Sequence, residues 1–187
     1  MKPTPSDPRS PKAVWDQQHE FALNDPLMWQ LKADSLAAAF DVLIEDDIRR
    51  KLDSARARRI PSVEYMLAGF ALENLLKGQL IARHKHRDET GAFKLKTHDL
   101  RQLARDAGYE MSEPENRLLE KIQEFATWTA RYPVPLDSEA MRPRPTPDGG
   151  FAPRTYGQLG ADWPAIRALL ARFKSDLLQI RSVRAGA

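Results

Sequence analysis

The chain of 187 residues contains no cysteine, which excludes disulfide bonds and cysteine-ligated metal sites. No stretch of the sequence approaches the roughly 18 consecutive apolar residues that a membrane-spanning helix needs. The N-terminal sequence MKPTPSDPRSPK also lacks the apolar segment that a secretory signal carries. These absences predict a cytoplasmic protein with no membrane partner.

The common catalytic motifs are absent as well. The nine glycines are scattered, so neither a phosphate-binding loop nor a dinucleotide fingerprint is present, and the patterns GxSxG and HExxH do not occur. Among the four histidines, His84 and His86 are two residues apart on a predicted helix, where they point in different directions and cannot share a metal ion. The sequence therefore predicts no cofactor and no metal site, and it leaves enzymatic activity uncertain.

The composition is that of a globular domain. Charged residues make up 29% of the chain and hydrophobic residues 42%, and the length suits one domain with a proper core. The formal net charge of +3 is mildly basic, which permits a nucleic-acid partner without requiring one.

One segment, Pro61–Arg87, is apolar around nearly its whole helical circumference. Its large side chains gather on one side, and much of the remainder consists of alanine and glycine. Basic residues close its C-terminal end, as the helix dipole favours. A helix with so little polar surface is normally central and packed on several sides. We therefore expect this helix to organise the fold.

Start and stop signals predict four further helices. The signals are Asn24–Asp25 before Pro26, Thr97 with Gly108 at the other end, the capping box Ser112–Glu115, and Asp162 before Pro164. The helix after Ser112 is expected to end near Arg131, because Tyr132 precedes a proline.

The predicted fold class is therefore all-α, a single-domain helical bundle of about five helices with no strand. Residues 1–23 begin with four prolines in eleven positions and are predicted to be a flexible arm. The bundle is expected to span residues 24–187. Residues 133–160, rich in proline and glycine, are predicted to form a long loop within it.

Two charged residues interrupt the apolar sector of the central helix. Glu73 and Lys77 are four residues apart with the acid first, which is the favourable order for a helical ion pair. A charge in that sector must be paired, lie at a subunit interface or line a cleft. The alternative is a local pair whose long side chains reach the surface.

His98 stands out among the histidines because Thr97-His98-Asp99-Leu100 places an imidazole at the start of a predicted helix. That position helps to keep an imidazole ring neutral. The alternative is an ordinary first-turn residue that is hydrogen-bonded to the nearby backbone.

Three consecutive features resemble the HEPN-domain family of prokaryotes. They are a helix carrying YMLAGFALENLLKGQLI, the segment THDLRQLARDAG after a loop, and an amphipathic helix ending in ARYP, together covering roughly residues 27–135. The resemblance implies a small α-helical bundle that forms a homodimer. Many members are metal-independent ribonucleases in toxin, defence and RNA-processing systems, and others are non-catalytic partners of nucleotidyltransferases.

The resemblance also suggests site residues. The ribonuclease motif of the family is an arginine followed after four to six residues by a histidine, assisted by an acidic residue from an earlier helix. Arg131 matches the arginine and Glu73 the acidic residue, but no histidine occurs beyond His98. Catalytic candidates are therefore Arg131, His98 and Glu73, and binding candidates are Arg131, Lys77, Glu73 and Tyr132.

Two hypotheses follow from this departure. The first is a HEPN-like dimer in a bacterial toxin, defence or regulatory system that binds RNA, a nucleotide or a protein partner such as a nucleotidyltransferase or antitoxin, without the usual ribonuclease motif. The second is a metal-independent endoribonuclease with a rearranged site built from Arg131, Glu73, Lys77 and His98. A simple interaction module is a third possibility.

Overall fold

The computed structural model describes residues 11–51, 61–129, 144–145, 149–152 and 162–185. Over these residues the fold is an all-α bundle, as the sequence predicts. The α-helices are α1 (Pro11–Asn24), α2 (Pro26–Lys51), α3 (Pro61–Ala82), α4 (Leu100–Asp106), α5 (Glu113–Glu124) and α6 (Trp163–Ala185), and the π-helical segment Phe125–Thr129 continues α5. Within these ranges no helix is both long and apolar enough to cross a membrane.

Helix α3 is the centre of the bundle, in agreement with its apolar sequence. It packs against α2, α4, α5, the π-helical segment and α6. Fully buried side chains line it from Tyr65 to Ile81. The Tyr65 ring stacks on Phe125 with ring centroids 4.8 Å apart, which ties α3 to the π-helical segment.

The C-terminal end of α3 differs from the prediction. The helix ends at Ala82 rather than at Arg87, because His84 adopts a positive φ of 56°. The N–H of Lys85 then donates to Leu80 O at 2.7 Å, which closes the helix end. Histidine is one of the few side chains that adopt this conformation with some frequency, and the sequence pattern did not reveal it. His84 and His86 therefore lie outside the helix.

The starts of α2, α5 and α6 agree with the predictions and the start of α4 does not, whereas the helix end predicted near Arg131 lies outside the described residues. Its N-cap is Asp99, not Thr97, and the Asp99 carboxylate accepts the N–H of Gln102. Gly108 follows α4 with a positive φ of 88°, as expected of a C-terminal glycine. Both hydrogen bonds of the predicted capping box between Ser112 and Glu115 are present at the start of α5.

The N-terminal segment predicted as a flexible arm over residues 1–23 is helical from Pro11 onward, and residues 1–10 lie outside the described residues. Alanine, lysine, glutamine and glutamate are good helix formers, so propensity outweighs the single proline at the first helical position. No residue of α1 is buried, and Trp15 and Phe21 are 69% and 66% exposed. Polar contacts therefore hold much of α1 to the body.

The predicted loop at residues 133–160 lies mostly outside the described residues. Its described parts include a two-residue antiparallel pair, β1 (Arg144–Pro145) with β2 (Phe151–Ala152). The sequence analysis predicted no strand, and a pairing this short carries no alternation from which to predict one.

Close packing of α3 on the π-helical segment depends on Gly69. A Cβ atom at this position would lie 2.8 Å from Ala126 Cβ and 3.1 Å from Ile122 Cγ2. We expect Gly69→Ala to lower the free energy of unfolding by about 1–3 kcal/mol, because overpacking outweighs the gain in helix propensity. Chemical denaturation monitored by circular dichroism measures the change.

Gly78→Ala is the matched control for that substitution. Its added Cβ would meet Leu177 Cδ2 at 3.1 Å and Trp29 Cβ at 3.3 Å, and the leucine methyl belongs to a flexible side chain. The loss of stability should therefore be smaller at Gly78 than at Gly69. A Gly69→Ala protein that is as stable as the parent would contradict the close approach.

His86 links the loop after α3 to α1. Its Nε2 lies 2.8 Å from Asn24 Oδ1, and the Arg87 guanidinium contacts both Asn24 and Glu20. Burial lowers the pKa of His86, and the neighbouring charges of Arg87 and His84 lower it further. As the pH falls, His86 therefore becomes protonated at a higher pH in the unfolded chain than in the folded protein.

Stability should accordingly decrease as the pH falls through about 6.5, the ordinary histidine value, toward the lower pKa of the folded state. His86→Gln should flatten the dependence of the melting temperature on pH between about 7.5 and 5.5. The same change at the exposed His19 should leave the dependence unaltered. Equal pH profiles for His86→Gln and the parent would contradict this assignment.

Candidate functional site

A buried ion pair lies in the middle of α3. Lys77 Nζ donates to Glu73 Oε1 at 2.7 Å, and only 6% of the lysine side chain and 11% of the glutamate side chain are exposed. The spacing of four residues places the two groups one helical turn apart on the same face. Glu73 is therefore paired with Lys77, one of the arrangements that the sequence left open, and the pair does not reach the surface.

His98 is the third member of this cluster. Its Nδ1 lies 3.0 Å from both carboxylate oxygens of Glu73, 25 residues earlier in the chain. The imidazole side chain is 66% exposed, whereas the carboxylate beneath it is buried. The turn before α4 places it there: Thr97 Oγ1 accepts the N–H of Asp99, and Asp99 caps the helix.

The contact with Glu73 replaces both sequence-based interpretations of His98. The residue precedes the N-cap Asp99 and is not in the first turn of α4, and its ring nitrogen contacts a carboxylate of α3. A carboxylate is only an acceptor, so the Nδ1 of the ring carries the hydrogen. Nε2 is then the other ring nitrogen, available for a substrate or ligand. A carboxylate-oriented imidazole of this kind can accept or donate a proton.

Lys77 has a separate role in the cluster. Burying a carboxylate costs free energy unless several hydrogen-bond donors contact it. Glu73 Oε1 accepts hydrogen bonds from both the Lys77 ammonium and the His98 imidazole N–H. Lys77 thereby fixes the carboxylate rotamer, and the carboxylate in turn fixes the imidazole. We call the set Glu73, Lys77 and His98 the α3–His98 cluster.

The remaining predicted site residues, Arg131 and Tyr132, lie outside the described residues. The structure therefore brings together three of the five candidate residues. In the part of the chain that the structure describes, no group of three or more histidine, aspartate or glutamate side chains could hold a metal ion.

The sequence analysis missed two polar networks of the core. Asp162 Oδ2 accepts hydrogen bonds from Tyr65 Oη and Lys121 Nζ, each at 2.6 Å, so the residue does more than mark a helix start. Tyr109 Oη donates to Asp176 at 2.6 Å, and burial together with this hydrogen bond raises the pKa of the phenol. Their partners are 41 to 97 residues apart, so no local pattern could have revealed them.

Comparison with protein-family models, with curated proteins and with solved structures finds no match to this chain. The resemblance to HEPN domains therefore stays a prediction from the motifs alone.

Removal of Glu73 should be costly, because it leaves the Lys77 ammonium buried without its carboxylate. We expect Glu73→Ala to lower the free energy of unfolding by ~3–5 kcal/mol, the usual cost of breaking a buried pair from one side. Urea denaturation of the parent and the variant measures this difference.

The chain provides a matched control at the surface. Glu113 forms the same kind of pair with Arg117, four residues later, but 72% and 66% of these side chains are exposed. Glu113→Ala should cost less than about 1 kcal/mol. Similar losses for the two variants would show that the Glu73–Lys77 pair is not desolvated.

Proposed function

We propose that this chain is a HEPN-like helical protein that binds RNA or a nucleotide at the α3–His98 cluster. One observation carries the proposal: the exposed imidazole of His98 is held by the buried carboxylate of Glu73. A charged pair inside the central helix costs desolvation free energy, and here the pair orients a surface histidine. This cost indicates that the histidine has a function. Fixed imidazole groups of this kind serve binding or proton transfer.

The surroundings of the cluster favour an anionic ligand. Lys94 and Lys96 precede His98 in the chain and are exposed, and Arg101 follows it on α4. Arg101 Nη1 lies 3.6 Å from a Glu120 oxygen and is therefore only loosely paired. Basic side chains near an imidazole attract phosphate groups, and such attraction weakens as salt is added.

The resemblance supplies the rest of the proposal. It adds Arg131 and Tyr132 to the binding surface, with the arginine contacting phosphate through its planar guanidinium group. It also implies a homodimer, and a nucleotidyltransferase or an antitoxin as cognate partner in a toxin, defence or regulatory system. The absence of a histidine four to six residues after Arg131 favours binding without cleavage.

A second function, metal-independent RNA cleavage, is favoured by the contact between Glu73 and His98. In this reaction Nε2 of His98 accepts the proton of a ribose 2′-hydroxyl, and the 2′-oxygen attacks the adjacent phosphorus. The bond from phosphorus to the 5′-oxygen breaks, and that oxygen takes a proton from solvent. Glu73 stabilises the imidazolium that forms, as a carboxylate does in other acid–histidine pairs. The products are a 2′,3′-cyclic phosphate and a 5′-hydroxyl.

One set of assays separates the two functions. Labelled single-stranded and structured RNAs are incubated with the protein in chelator, and both cleavage and binding are measured at several salt concentrations. If the first function is right, RNA is bound in a salt-dependent manner, is not cut, and is bound more weakly by Arg131→Ala and His98→Ala. His19→Ala, an exposed histidine of α1 outside the cluster, is the matched control.

Cleavage in chelator that His98→Ala abolishes and His19→Ala retains would establish the ribonuclease instead. Glu73→Gln should then lower the cleavage rate, because it removes the negative charge that stabilises the imidazolium. The absence of RNA binding, of nucleotide binding and of cleavage would refute both functions.

A further inference from the structure

A cavity of about 430 Å³ lies beside the α3–His98 cluster, between the end of α3, the loop that follows it and α4. This volume is within the usual range for small-molecule sites. The residues that line it are Leu80, Lys85, Lys94, Leu95, Thr97 and Asp106.

A hairpin-like loop brings the two lysines to the same cavity. The Lys94 N–H donates to His86 O at 3.0 Å, and Arg87 and Phe93 form an antiparallel bridge. Gly91, with a φ of 81°, makes the tight turn at the tip. Lys85 and Lys94 therefore stand at the open end of the loop, each just outside the bridged residues.

The two ammonium groups are available to a ligand. Both lysines are exposed, and neither has a carboxylate within 4.0 Å of Nζ in the parts of the chain that the structure describes. The nearest polar contact of Lys85 Nζ is Asp106 O at 3.5 Å, which is a long hydrogen bond. Lys94 also interacts electrostatically with the exposed Asp88 carboxylate. Two cationic side chains that line one cavity favour an anion there.

The other polar groups of the cavity suit a sugar phosphate. Thr97 Oγ1 accepts the Asp99 N–H, so its own hydroxyl hydrogen stays available for a ligand oxygen. The Asp106 carboxylate accepts the side-chain amide of Gln102 at 2.7 Å and can accept a further hydrogen bond from a ligand hydroxyl. Leu80 and Leu95, 1% and 4% exposed, form an apolar wall. A nucleotide has a phosphate group, ribose hydroxyls and an apolar base face, which match these three kinds of side chain.

We propose that this cavity is a ribonucleotide subsite in which Lys85, Lys94 and Thr97 bind a phosphate group and Asp106 binds a ribose hydroxyl. Thr97 lines the cavity and His98 is the next residue, so the subsite adjoins the α3–His98 cluster. The assignment of the phosphate to RNA or a nucleotide rests on the proposed function. The phosphate recognition itself rests on the cavity.

Adenosine monophosphate and adenosine are the first probes, titrated into the full chain by calorimetry at low salt. The monophosphate should bind and adenosine should bind at least about tenfold more weakly, because the charge-assisted hydrogen bonds are lost. The double variant Lys85→Ala/Lys94→Ala should weaken monophosphate binding by a similar factor. Lys85→Arg/Lys94→Arg should largely retain it.

The matched control removes the same two charges elsewhere. Lys12 and Lys32 are exposed on α1 and α2, so Lys12→Ala/Lys32→Ala changes the net charge equally and should leave the affinity within about twofold. Equal affinities for adenosine and its monophosphate, or equal losses in the two double variants, would overturn the proposal. Circular dichroism melts of both variants verify that they are folded.

The source of the phosphate is tested with a 5′-phosphorylated and a 5′-hydroxyl RNA of the same sequence. Tighter binding of the phosphorylated RNA that depends on Lys85 and Lys94 identifies an RNA end as ligand, and binding of the monophosphate alone identifies a free nucleotide. His98→Ala separates this subsite from the proposed function: it should reduce RNA binding or cleavage at the cluster by a larger factor than it reduces monophosphate affinity. Lysine-dependent monophosphate binding that is the same in His98→Ala and the parent, without any binding or cleavage of RNA, would support the subsite and refute the proposed function.

Discussion

Helix α3 is covered by α2, α5, the π-helical segment and α6, so each polar group on it must find a partner inside the protein. Four charged or polar side chains of this helix are buried: Glu64, Glu73, Lys77 and Gln79. The pair of Glu73 and Lys77 meets the requirement within one helical turn. The second carboxylate oxygen lies 3.0 Å from Nδ1 of His98, which stands in the turn before α4.

This constraint links stability and function at one position. A hydrophobic pair of similar volume would often be at least as stable in a helix interior as a buried ion pair. The charged pair has a use that such residues could not supply, because it gives an exposed imidazole a fixed acceptor. A fold of this general type hosts many activities, so the functional argument rests on the geometry of these three side chains and not on the bundle.

The loop between α3 and α4 has a comparable dual role. Its turn at His84 ends the central helix, and its bridge between Arg87 and Phe93 returns the chain toward α4. The same path carries His86 to Asn24 of α1, and it ends at Thr97 and His98. The attachment of α1, the lysine-lined cavity and the orientation of the imidazole are therefore consequences of one short segment.

The sequence by itself determined the all-α class, the central position of α3, the capping box before α5 and the favourable spacing of Glu73 and Lys77. Each of these depends on residues within one or two helical turns, where spacing converts directly into geometry. Only the tertiary structure decided that His98 contacts Glu73, that His84 ends α3, that Asp162 receives Tyr65 and Lys121, and that Lys85 and Lys94 share a cavity. These contacts join residues that are distant in the chain or depend on a single backbone angle, and no local periodicity encodes either.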